Sequence, residues 1–186
     1  MGKLIYATNM SLDGFTEDAT GSFDWSVPDE ELHRFFNEMM RGIETQLLGR
    51  RMYETMQVWE TDPSFYEDSP VLADFAAVWQ NSDKVVYSTT LTKPPTRRTT
   101  IVREFDPDTV RALKEESAGD LLVSGPMLAA QAMHARLVDE FHLVIAPVSV
   151  GSGKSALPID MRLDLDLIDE RRFNHGVVGL TYSVRH

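Results

Sequence analysis

Asp120-Leu-Leu-Val-Ser-Gly-Pro-Met-Leu-Ala-Ala-Gln-Ala-Met-His-Ala-Arg-Leu-Val-Asp-Glu-Phe-His-Leu-Val-Ile-Ala-Pro147 is the stretch around which this chain of 186 residues is organised. Leu121 to Val123 is a short apolar run suited to a strand buried on both faces. Ser124-Gly125-Pro126 punctuates it. Met127 to Ala135 is rich in helix formers, with Leu128, Gln131 and Ala132 spaced for one helical face. Phe141 to Ala146 then resumes as a strand. Strand, glycine turn, helix, strand predicts a βαβ unit and a parallel pair in an α/β sheet. A glycine turn that opens a helix also offers free backbone N–H groups and the positive end of the helix dipole to an anion. The plain alternative is an ordinary strand-to-helix turn.

Composition narrows the field. A hydrophobic share of 42% and a charged share of 25% are those of a folded globular protein. The absence of cysteine excludes disulfides, thiolate metal sites and a cysteine nucleophile, and is compatible with the cytoplasm. Residues 1 to 20 carry Asp13, Glu17 and Asp18 and no long apolar core, so no signal peptide is expected, and no run is long enough for a membrane span. A formal charge of -11 repels nucleic acid and anionic lipid. An anionic cofactor would therefore need a local basic cluster.

Outward from the central stretch, Lys3 to Asn9 reads as a buried strand, ended by the turn Ser11-Leu12-Asp13-Gly14, in which Asp13 can bond its own backbone. Glu17 to Gly21 reads as a loop tip. Ser26-Val27-Pro28-Asp29-Glu30-Glu31 reads as a helix start, with Ser26 or Val27 at the cap and Pro28 in the first turn. Leu32, Phe35, Phe36, Met39 and Met40 follow at helical spacing as core positions, and Gly42 ends the run. Gln46-Leu47-Leu48 is a buried strand, and at its end Gly49-Arg50-Arg51 opens a helix through Met56. Two arginines at a helix N-terminus oppose the dipole. A docked phosphate explains them, as does a surface ion pair to Glu54 or Glu60.

Further helices are predicted over Pro70 to Gln80 and from Asp106-Pro107 to about Ser117. Lys84 to Tyr87 and Thr99 to Val102 read as strands, the first followed by the hydroxyls of Ser88-Thr89-Thr90. Val148 to Ser155 reads as a glycine-rich turn. Leu163, Leu165 and Leu167 alternate with acids as a strand with one wet face, and a hairpin at Asn174-His175-Gly176 leads into a last strand, Val177 to Val184. Gly151-Ser152-Gly153-Lys154-Ser155 imitates a phosphate-binding P-loop, but Val148 stands where its first glycine belongs and no helix pattern follows. His33, His134, His142, His175 and His186 lack the paired spacing of a metal site.

Together, the Ser-Leu-Asp-Gly turn, Trp25-x-x-Pro28, Leu-Leu-Gly-Arg-Arg-Met-Tyr-Glu from Leu47 to Glu54, Val-Ser-Gly-Pro-x-Leu from Val123 to Leu128, Leu-Val-Asp-Glu from Leu137 to Glu140 and Ala-Pro-Val-x-x-Gly-x-Gly from Ala146 to Gly153 resemble the dihydrofolate reductase-like superfamily, in the branch of the riboflavin-biosynthesis reductase domain. The resemblance runs nearly end to end, as one domain over residues 1–186. It implies a mixed, mainly parallel sheet of about eight strands flanked by helices, with NADPH along the strands' carboxyl ends. It implies that Gly49, Arg50 and Arg51 hold cofactor phosphates, that Ser88 and Thr89 lie near the adenosine phosphate, and that Ser124, Gly125, Pro126 and Met127 lie under the pyrophosphate. The family often has Gly-Gly at that turn; here Ser124 adds a Cβ.

Asn9, Asp13 and Gly14 fall on the loop over nicotinamide. Glu30 matches an acid that binds a pterin and aids protonation, with Asp29 beside it, while both also fit an acidic first helical turn. The implied activity is hydride transfer to a small heterocycle, with Glu30 and Asp13 as candidate catalytic acids, Phe23, Trp25 and Tyr53 as candidate aromatic walls, no metal, and a homodimer. A protein that binds a nucleotide or pterin without turnover is the alternative.

Overall fold

The computed structural model describes residues 1–185; His186, one of the five histidines above, lies outside the described residues. The element order is β1 (Leu4–Ser11), β2 (Phe15–Asp18), α1 (Glu30–Arg41), β3 (Ile43–Gly49), α2 (Arg50–Met56), α3 (Val58–Thr61), α4 (Pro70–Asn81), β4 (Asp83–Tyr87), β5 (Thr99–Val102), α5 (Pro107–Glu116), β6 (Asp120–Ser124), α6 (Pro126–His134), β7 (Glu140–Ala146), β8 (Gly153–Ser155), β9 (Leu165–Arg172) and β10 (Val178–Val184). Eight strands form one sheet in the order β5-β4-β3-β6-β1-β7-β10-β9. The first six run parallel, and β10 is antiparallel to both its neighbours. This is the mixed, mainly parallel α/β sheet of eight strands that the resemblance implies.

The central strand–helix–strand unit is present, with one difference. β6 and β7 do not touch, because β1 lies between them, pairing Leu4 to Tyr6 with Leu121 to Val123 on one side and Ile5 to Ser11 with Glu140 to Ala146 on the other. The crossover through α6 spans two strand spacings, roughly 10 Å. The pattern of a βαβ unit specifies direction and not adjacency, so the inserted strand was not legible from it.

Alternation along the parallel strands fills both faces. Leu4, Tyr6, Leu47, Leu121, Val123, Phe141 and Leu143 meet Val110 of α5 and Leu128, Ala132 and Met133 of α6. Ile5, Leu48, Val86 and Leu122 face the other way, against Met40, Tyr53, Trp59, Phe75 and Trp79. Each such large apolar side chain contributes about 2 kcal/mol by leaving water, and this packing on both faces holds the sheet whose carboxyl edge carries the candidate site.

Three local expectations change. The cap of α1 is Asp29, which accepts from Leu32 N at 2.9 Å, and neither Ser26 nor Val27. Val27 precedes a proline, which disfavours helical backbone, and it is extended at ψ 120°. Glu17 is in a strand and not a loop tip: β2 pairs antiparallel with β8, forming a separate two-stranded ribbon. A Cβ at Gly153 would stand 1.9 Å from Glu17 O, which explains the glycine where a P-loop motif was imitated; Lys154 lies in β8 and pairs with Glu17. In β9 the alternation holds for Leu165, but a register shift opposite Thr181 and Tyr182 leaves Leu167 and Ile168 exposed on the sheet edge.

Candidate functional site

Parallel strands deliver their carboxyl ends to one edge. Gly49 of β3 is level with Tyr87 of β4, and Leu48 is level with Ser124 of β6. Three predicted segments therefore stand side by side: Gly49-Arg50-Arg51, Ser88-Thr89, and Ser124-Gly125-Pro126-Met127. On the far side of β6, β1 brings Asn9 to the same edge, where its Nδ2 donates to Ser26 O at 3.3 Å. Glu30 is not brought in. Its side chain is exposed and pairs with Arg34 one helical turn on, while Asp29 is occupied as the cap.

The glycine turn is shaped for close approach. Gly125 has φ 93°, a conformation that glycine adopts without strain, and no side chain caps α6. Pro126 at the first helical position has no N–H to satisfy. Anionic groups at such an end are stabilised by about 0.3–1 kcal/mol. A Cβ at Gly125 would lie 3.6 Å from Met52 Cβ, and one at Gly49 would lie 3.9 Å from Leu128 Cβ, so the starts of α2 and α6 pack on each other.

Arg50 donates from Nε to Glu54 Oε1 at 2.7 Å and from Nη1 to Thr90 Oγ1 at 2.7 Å. The ion pair to Glu54 is thus present; Glu60 instead takes Arg97. Arg51 is exposed and, among the described residues, has no carboxylate partner. Ser88 is buried, and its Oγ accepts from Thr90 N and Leu91 N, so this hydroxyl builds the turn. Thr89 is exposed. Of the three hydroxyls after β4 it is Thr90 that meets Arg50, and Arg103 escaped the sequence argument as a partner at this site. Arg103 binds two carbonyls of the same turn, and its only sequence signal is that it directly follows β5.

Asp13 does not merely close its own turn. Its carboxylate accepts from Ser149 Oγ at 2.9 Å, Val150 N at 3.1 Å and Gly151 N at 2.7 Å. Hydrogen bonding by Ser11, then by Gly151, Val150 and Ser149, holds its pKa well below the usual carboxylate range. It is ionised near neutral pH and carries no proton to donate.

The predicted aromatic walls divide. Tyr53 is fully buried, with its hydroxyl 2.7 Å from Thr96 Oγ1, so it belongs to the core beneath α2 and not to a ligand wall. Phe23 is exposed, and Trp25 is half-buried with a buried indole Nε1 that has no hydrogen-bond partner. Leu12, Val27 and Met127 are also exposed, in the segments that follow β1 and β6 and that lead into α1. Exposed apolar groups, an orphan donor and, in Arg51, an arginine that among the described residues has no carboxylate partner are features of a surface that receives a ligand with an apolar and an anionic part. The uncapped Gly125 turn and the exposed Arg50 and Arg51 suit the phosphates of a dinucleotide cofactor.

The family model described as RibD C-terminal domain matches residues 2–178. Over 182 residues the chain is 28% identical to protein YyaP of Bacillus subtilis (strain 168), covering 97% of this chain and 94% of that one. A Shewanella sp. PV-4 protein named for riboflavin biosynthesis superposes with a TM-score of 0.76 at 21% identity, covering 99% of each chain. Enterococcus faecalis dihydrofolate reductase, solved with NADP(H), superposes with a TM-score of 0.64 at 14% identity, covering 100% of this chain and 98% of that one.

Proposed function

The chain belongs to the RibD C-terminal domain family, and from that we propose that it is an NADPH-dependent reductase acting on a small heterocycle of the pterin or aminopyrimidine type, or its open-chain sugar imine. The observation that carries this reading is the alignment, on one rigid edge, of the Gly125 turn, the Arg50–Thr90 contact and the unpaired Arg51. NADPH, when bound, supplies the hydride. Arg50 and Arg51 are assigned to its phosphates, and the backbone at Gly125 to Met127 to its pyrophosphate. Asn9 and the Asp13-held loop position its nicotinamide end, and Trp25 Nε1 donates to an acceptor on the heterocycle.

Reduction of a C=N bond adds hydride at carbon and a proton at nitrogen. With Asp13 ionised on its loop and Glu30 paired outward, solvent supplies that proton. The same two observations favour the second reading, a protein that binds nucleotide and heterocycle without turnover.

Titration of the wild type and Arg50→Ala with NADPH and NADH tests the proposal. Tighter binding of NADPH, lost in Arg50→Ala, is the expected result; binding of neither nucleotide sinks it. Oxidation of bound NADPH by dihydropterins or aminopyrimidines separates the reductase from the binding protein.

A further inference from the structure

The candidate site has two ends of opposite charge. Arg50 and Arg51 stand at its β3 end, where the cofactor reading uses both for phosphate. The heterocycle end is built from other segments on one face of the sheet. β1 supplies its floor, α1 and the stretch before it one wall, and the segment from α2 to α4 the other. Ala7, Phe36, Met52 and Met56 are half-buried there against one core cluster.

Neither wall offers a free base. Residues 4–33 contain seven acids and no lysine or arginine, and the same holds for residues 52–83. In the first stretch Lys154 neutralises Glu17 and Arg34 neutralises Glu30. Among the described residues Asp13, Asp18, Asp24 and Glu31 have no ion-pair partner, and Asp29 has only His175, at 3.8 Å. The two bases of α1, Arg34 and Arg41, are taken up by Glu30 and Asp74. Lys84 is buried against Trp79. Arg171 and Arg172 belong to β9, three places from β1 in the sheet and roughly 14 Å away, and Arg171 is held over the rings of Phe35 and Phe173.

An anionic group at this end would meet carboxylates and no free cation, beside apolar side chains that weaken screening. We propose that the substrate of this site carries no phosphate or carboxylate: it is a heterocycle or imine that is neutral, or cationic once its C=N nitrogen is protonated. This rests on the reductase reading above and narrows it, excluding heterocycles that bear a phosphorylated sugar or a carboxylate tail. The same carboxylates favour a positively charged guest, and a C=N group that has taken a proton from solvent is one.

The experiment is equilibrium titration of the protein, saturated with NADP+, at low and high ionic strength with two matched pairs of ligands. One pair is a ribosylaminopyrimidine and its 5′-phosphate; the other is a 6-alkyl dihydropterin and the same pterin with a glutamate tail. In each pair the uncharged member should bind about tenfold or more tightly, and the gap should narrow as salt is raised. Asp24→Lys, at an exposed acid without an ion pair, should narrow the low-salt gap about threefold and leave the uncharged members within about twofold. An anionic member that binds as tightly as its partner, or more tightly, overturns the proposal. A gap indifferent both to salt and to Asp24→Lys does so too, since size and not charge would then set it. If Asp24→Lys does not fold, the salt series decides alone. Failure to bind any nicotinamide nucleotide removes the cofactor reading and this proposal together, whereas binding of NADP+ with none of the four heterocycles removes this proposal alone.

Discussion

The Asp13 carboxylate accepts the backbone N–H of Gly151 at 2.7 Å across 138 positions of sequence, with Ser149 and Val150 as further donors. This contact ties the turn after β1 to the loop before β8. Asp13→Asn should loosen it and lower thermal stability at neutral pH. The sign of the pH dependence follows from a folded-state pKa held below the ordinary 3.8. The stabilisation is complete above 3.8 and is lost as pH falls from there through the depressed value. Melting curves of both proteins as a function of pH should therefore converge only in strong acid; convergence near neutrality would show that Asp13 is not the latch.

Gly153→Ala should destabilise by roughly 1–3 kcal/mol, because the new Cβ would meet the backbone oxygen of Glu17 at 1.9 Å and the ribbon of β2 and β8 would have to part. Gly14→Ala is the control. It has φ 88° but nothing within 4 Å, so its cost is limited to about 1–2 kcal/mol of backbone strain. Urea unfolding should rank the two in that order.

Lys84 is completely buried, its Nζ donating to Trp79 O at 3.0 Å and Ser82 O at 2.9 Å and lying 4.3 Å from the centre of the Trp79 ring. Burial pushes its pKa down from 10.5 to about 8. The unfolded chain then binds more protons between those values, so wild type should gain stability as pH rises from about 8 to 10.5. Lys84→Met should lack this rise, which is on the order of 1–3 kcal/mol. Unfolding free energies at several pH values give the test, and parallel curves would contradict it.

Trp25→Phe removes a buried indole N–H that has no partner in the protein. Folding stability should be unchanged or higher by about 1 kcal/mol, since no internal hydrogen bond is lost. Affinity for a heterocycle that accepts from Nε1 should fall by about tenfold. A drop in stability without a change in ligand affinity would place Trp25 in the structural core.

Much of this fold was legible because its parallel strands are short, apolar and punctuated. Leu47-Leu48 before Gly49 and Leu121 to Val123 before Gly125 each show strand, turn and helix in sequence, and both junctions stand on the carboxyl edge. What was hidden depends on contacts distant in sequence. Nothing near Asp13 signals residues 149–151, nothing near Arg103 signals the carbonyl of Ser88, and Tyr53 looks like a pocket wall until Thr96 is placed against it. The cap of α1 was misplaced for a local reason, since Pro28 suits a first turn but Asp29 after it is the better cap.

The insertion of β1 between β6 and β7 also dictates when the molecule can fold. β1 leaves the ribosome before either of its two partners, which end at Ser124 and Ala146. At ordinary translation rates the nascent chain spends roughly ten seconds or more with β1 unpaired on both edges. Leu4, Ile5 and Tyr6, all buried in the finished sheet, are exposed through that interval. A circular permutant that begins after β1 and ends with it would shorten that wait.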